Sequence, residues 1–180
     1  MPSQSLARFA LVGAMLLSRS TLSATFSVTI GDTPPLPNGV KFCQFAEDAK
    51  RLEIRDGSKQ LTKYDFCASY GQATGTVITD AVGKSYLLLR YAEGRGTNAT
   101  TDYLAIFTVQ PELFEFVRTP ISSGAGPLSR WEYTYSIARP TRGGLRLTFR
   151  LKVERPNNSA EADYAPFERE RTIEVNTRGS

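Results

Sequence analysis

From Trp131 onward the chain alternates. Trp131, Tyr133, Tyr135 and Ile137 are apolar, and Arg130, Glu132, Thr134 and Ser136 between them are polar. The pattern breaks at Arg139-Pro140-Thr141-Arg142-Gly143-Gly144. It resumes with Leu145, Leu147, Phe149, Leu151 and Val153, interleaved with Arg146, Thr148, Arg150, Lys152 and Glu154. Successive side chains on a strand point to opposite faces. The stretch therefore predicts a β-hairpin with one oily face toward a core and one wet, largely cationic face.

The same reading extends along the chain. Residues 25–30 alternate and are rich in β-branched side chains, which predicts a first strand. Residues 31–39 hold three of the ten prolines and read as a connection. Residues 52–55 and 60–68 flank Asp56-Gly57-Ser58-Lys59, and Asp-Gly is a strong hairpin-turn signal. A second hairpin joins residues 74–79 to 85–91. In its second arm Tyr86, Leu87, Leu88, Leu89 and Tyr91 are apolar on both faces, as a central, doubly covered strand requires. Residues 102–109 share that character, and residues 113–119 form the next strand after Gln110-Pro111-Glu112. Residues 120–128 read as a flexible connection of small residues, 156–166 as a polar loop and 167–175 as the last strand. One stretch is ambiguous. Phe42, Phe45, Ala46 and Ala49 fit helical spacing, and Glu47 with Arg51 makes a good i,i+4 pair, so a short helix near 40–51 is preferred over a strand. About nine short strands with turns between them predict an all-β fold, an antiparallel β-sandwich or barrel.

Length and composition place this pattern in a compartment. A chain of 180 residues is of one-domain size. With 41% hydrophobic and 22% charged residues it does not have the composition of a disordered chain. Residues 9–17 are uniformly apolar, with Arg8 before them and small residues after them. That order predicts a secretory signal peptide over 1–24 and a single β domain over 25–180. The apolar run is far short of the about 20 residues a membrane-spanning helix needs, and no later segment could span a bilayer. Loss of Arg8 and Arg19 takes the formal charge from +4 to +2. Net charge alone is then too small to make a strong polyanion binder. Composition says more, because 16 of the 22 cations are arginine, the residue suited to paired surfaces.

The only cysteines are Cys43 and Cys67. In an exported chain they form one bridge. Closing this loop stabilises the fold by about 3–4 kcal/mol on chain-entropy grounds. There is no histidine, which excludes Ser-His-Asp and Cys-His nucleophile systems and histidine metal sites. No cofactor is expected. Paired carboxylates are the remaining route to catalysis. Glu168, Glu170 and Glu174 share one strand face, with Arg169 and Arg171 on the other, so the stretch resembles a charged edge strand. A carboxylate-based enzyme acting on saccharides needs two such groups facing each other.

Binding chemistry is better represented. Residues 130–155 carry seven cations against two carboxylates. Arg139, Arg142, Arg146 and Arg150 are therefore candidate contacts for an acidic protein or polysaccharide. Gly94-Arg95-Gly96-Thr97 lacks phosphate-loop spacing, but its glycines present Arg95 as a candidate contact tip. Nucleic acid is not expected, because Trp131, Tyr133 and Tyr135 lie on the face opposite the cations. Asn98 and Asn157 each begin an N-x-[ST] glycosylation sequence in a predicted loop. If residues 167–175 pair with 145–153, the glutamates neutralise the arginine face, and the turn 139–144 becomes the better contact surface. The sequence thus predicts a secreted or periplasmic binding protein. The alternatives are the saccharide-acting enzyme and a structural envelope subunit that assembles by strand pairing.

Overall fold

The computed structural model describes residues 26–34, 43, 47–69, 72–94, 100–125, 129–154 and 168–176. The predicted signal peptide 1–24, the Arg95 loop, Asn98 and Asn157 lie outside these residues. Ten strands run in chain order: β1 (Phe26–Asp32), β2 (Glu47–Asp56), β3 (Lys59–Ser69), β4 (Ala73–Thr79), β5 (Ser85–Gly94), β6 (Thr100–Thr108), β7 (Phe114–Ala125), β8 (Ser129–Ala138), β9 (Leu145–Glu154) and β10 (Glu170–Val175). The first three make one antiparallel sheet. The other seven make a second, each strand paired with its neighbours in the chain and the sheet left open. The fold is all-β and sandwich-like, as the alternation requires.

Strands β5 and β6 are buried on both faces and separate two cores. On one face Tyr86, Leu88, Leu104 and Ile106 meet Trp131, Tyr133, Leu147, Phe149 and Val175. The latter come from β8, β9 and β10 of the same sheet, so the sheet curls back over itself. On the other face Leu87, Leu89, Ala105 and Phe107 pack under Leu52, Ile54, Phe66 and Ala68 of the small sheet. Each fully buried Leu, Ile or Phe here contributes about 1.5–3 kcal/mol. The small sheet comes close to β4, where a Cβ at Gly75 would sit 2.8 Å from Val28 Cγ1. Only glycine admits that approach.

Two stretches differ from their sequence expectation. Residues 47–51, expected as part of a helix near 40–51, belong to β2. Its pairing with β1 on one side and β3 on the other overrides the local helical spacing. Arg51 grips Asp65 on β3 with two bonds of 2.7 and 2.8 Å. Of residues 40–46 only Cys43 is described. Residues 120–125, expected as flexible, extend β7. Their partners are Thr100–Tyr103 on one side and Ser129–Glu132 on the other. Pro120 is tolerated because a register shift lies beside it, between Asp102 and Tyr103.

The Asp-Gly turn and the disulfide follow expectation. Asp56 pairs with Lys59 across the β2–β3 turn. Cys43 and Cys67 are bonded, with Cα atoms 5.6 Å apart, tying the segment before β2 to β3.

Candidate functional site

Four connections collect at one end of the fold: the β2–β3 turn, Asp80–Lys84 after β4, residues 109–113 between β6 and β7, and the β8–β9 turn 139–144. Asp80 holds two of them together. Its carboxylate accepts hydrogen bonds from Val82 N (3.0 Å) and Lys84 N (2.8 Å) in its own turn. It also accepts from the Tyr86 hydroxyl (3.3 Å) and, across the molecule, from Gly144 N (2.7 Å). Burial alone would raise the carboxyl pKa. The bonds from Gly144, Lys84, Val82 and Tyr86 outweigh it and hold the group below the ordinary aspartate range. Gly143 and Gly144 both have φ above +80°. A Cβ at Gly143 would fall 2.7 Å from Val82 Cγ2, and one at Gly144 would collide with the Val175 carbonyl. The β8–β9 turn is thereby fixed against the β4–β5 turn.

The loop end also carries a cleft of about 690 Å³, between the β2–β3 hairpin, the β4–β5 turn and residues 109–113. Lys59 and Lys84 flank it, Glu112 is its carboxylate, and Leu61, Val109 and Leu113 give it an apolar wall. Arg139 and Arg142 stand exposed on the adjoining turn. None of these four cations forms an ion pair with a described residue. Of the large hydrophobic side chains exposed among the described residues, Val82 lies in the Asp80–Lys84 turn, and Phe114 and Phe116 lie at the start of β7.

The sheet face behaves differently. The β9–β10 register places Glu170 opposite Arg150 and Glu174 opposite Arg146. The pairs close at 3.4 Å and 2.7 Å. Hydrogen bonding to Arg146 pulls the Glu174 carboxyl below its usual value. The structure therefore separates the predicted contacts into two sets. Arg139 and Arg142 stand on the loop end, while Arg146 and Arg150 are engaged within the sheet.

Arg171 of β10, expected on the face opposite the glutamates of a charged edge strand, does lie on that face and points inward over the rings of Tyr133 and Phe149, at 4.7 and 5.0 Å from their centroids. Its parity with Ile173 and Val175 is the sequence signal that identifies this inner face. Lys59 and Lys84 had no comparable signal, because a lone lysine beside a turn is ordinary.

Acid–base chemistry has little support in this arrangement. Glu170 and Glu174 project from one strand face, each against an arginine, and do not oppose each other across a cleft. The carboxylates with displaced pKa values, Asp65, Asp80 and Glu174, are all displaced downward, away from general-acid duty. Tyr91 lies under the Arg118 guanidinium, and burial drives its phenol pKa upward. Among the described residues no group of three His, Cys, Asp or Glu side chains could hold a metal ion, and no helix is long and apolar enough to cross a membrane.

Fold and site together define a disulfide-linked, two-sheet β protein with a cationic loop end. No protein family, curated protein or solved structure matches the chain.

Proposed function

We propose that the protein is an exported binding module and that its loop end engages an acidic protein or polysaccharide. The observation that carries the reading is the contrast between the two sets of cations. Arg146 and Arg150 have carboxylate partners, whereas Lys59 and Lys84 beside the cleft, and Arg139 and Arg142 on the β8–β9 turn, have none among the described residues. Export rests on the signal-peptide pattern of residues 1–24, and an oxidised Cys43–Cys67 pair is compatible with it. The mature chain then begins at Thr25, which N-terminal sequencing of exported protein checks.

Binding is tested with poly-L-glutamate and with a uronate polysaccharide as probes. Charge reversal of Lys59, Lys84, Arg139 and Arg142 together should abolish retention of either probe at low salt. Reversal of Arg146 and Arg150 should leave most of it. Equal losses from both variants would place the interaction in net charge and remove the loop end from the proposal.

A further inference from the structure

Strands β7 and β8 are neighbours over only part of their length. They pair from Ser122–Glu132 to Ala125–Ser129, and there the pairing stops. Residues 114–121 of β7 continue bonded to β6 on one side, and residues 133–138 of β8 continue bonded to β9 on the far side. A register shift between Glu132 and Tyr133 marks the point where the strands part. Two strand edges thus face a common opening with no described strand between them. Long unpaired edges are a liability that proteins normally cover, and an extended chain added to an edge supplies the missing main-chain bonds. At about 3.3 Å per residue the opening has the length of a six- or seven-residue strand.

The vertex of this fork holds a cation, Arg171, that has no counter-ion among the described residues. Arg171 reaches from β10 to the Pro120 carbonyl of β7 at 2.7 Å and stacks on Tyr133 of β8. Its Nε is buried and has no hydrogen-bond partner. At the mouth, Phe114 and Phe116 stand exposed and edge-to-face, with ring centroids 5.5 Å apart. Partly buried Val117, Tyr135 and Ile137 pack against the core behind the two edges.

We propose that the β7–β8 fork accepts an extended acidic segment of a partner protein as an inserted strand, with a carboxylate of that segment meeting Arg171. Alternate apolar side chains of the segment cover Val117, Tyr135 and Ile137, and Phe114 and Phe116 close over its other end. A polysaccharide offers neither alternating apolar groups nor a row of main-chain donors, so the occupant is a polypeptide. The fork is separate from the cationic cleft and does not rest on it.

The probes are ten-residue peptides of alternating valine and threonine, with one glutamate moved along the sequence, and the same set with lysine in its place. Amide hydrogen exchange is followed in the mature protein. The best glutamate peptide should slow exchange at least tenfold in both 114–119 and 133–137, and its lysine counterpart should bind at least tenfold more weakly. Arg171→Met should erase that preference. Should this variant not fold, the glutamate–lysine comparison on the unaltered protein decides alone. Equal binding by the two sets, or no added protection in either stretch, overturns the proposal. Protection that grows with protein concentration in the absence of peptide also overturns it, by assigning the fork to a second copy of the chain. Retention of poly-L-glutamate through Lys59 and Lys84 with no protection at the fork would leave the loop-end reading standing while this one falls. The reverse result separates them the other way.

Discussion

At the scale of single residues, Asp80 is the most constrained side chain at the loop end. One buried carboxylate serves donors from its own turn, from Tyr86 and from the β8–β9 turn. Asp80→Asn keeps the shape but replaces one acceptor oxygen with a donor facing other donors. A buried bond to a charged group is worth about 1.5–3 kcal/mol, and unmatched donors add to the loss. The variant should be less stable by about 3 kcal/mol in urea titration. The pH dependence follows in sign. The folded pKa lies below the unfolded value of about 3.9, so the contribution is complete above that pH. It is lost as pH falls through the folded value. The native protein should therefore lose stability in acid below about pH 4 more steeply than Asp80→Asn. Parallel acid limbs would refute the role given to this carboxylate.

At the scale of elements, the charged face of β9 and β10 is close to solvent-screened. Arg150 and Glu170 retain 71% and 56% of their side-chain exposure. A double-mutant cycle across them should return no more than about 0.5 kcal/mol, and a coupling several times larger would contradict the exposed geometry. The disulfide acts on a different scale. Replacing Cys43 and Cys67 by alanine should cost about 2–4 kcal/mol, read from the urea midpoint without reductant. An unchanged midpoint would mean that the bridge constrains nothing in the unfolded chain. These elements show what the sequence could convey. The alternation in β8 and β9 survives because each has a face in a core, and the apolar run of β5 survives because both of its faces do. The Asp56-Gly57 turn survives because its chemistry is local. Residues 47–51 misled because a short stretch satisfies helical and strand spacing together, and pairing partners far along the chain made the choice. Residues 120–125 gave no period at all, since Pro, Ser, Gly and Ala do not sort into oily and polar rows. Arg171 obeyed the alternation, on the face opposite the glutamates, but the pattern alone did not show that this face turns toward aromatic rings. The stems of cations can lie on aromatic rings inside a fold. The loop-end cleft was beyond sequence reach, because Lys59 and Lys84 meet only when separate hairpins pack.

At the scale of the molecule, the two cores share a wall one strand thick. Leu87 and Leu88 are adjacent in β5, yet the first packs under the small sheet and the second into the curl of the large one. Damage on either side should therefore weaken both. The single tryptophan, Trp131, lies in the core of Leu88 and reports on it by fluorescence. The amides of Leu52 and Ile54 report on the other core by hydrogen exchange. Leu87→Ala removes a fully buried side chain from the small-sheet side and should cost about 2–5 kcal/mol. If the shared wall couples the cores, the tryptophan transition moves to lower urea by the same free energy as the exchange of Leu52 and Ile54. The cause cannot be a direct contact, since Leu87 points away from the tryptophan core. The coupling must pass through the backbone pairing of β5 with β4 and β6. Leu88→Ala provides the mirror experiment, acting directly on the tryptophan core and through the wall on the small sheet. A tryptophan midpoint that ignores Leu87→Ala would show that the small sheet unfolds as an independent unit. The loop-end cleft, which joins Lys59 of the small sheet to Lys84 of the large one, would then open before the rest of the fold.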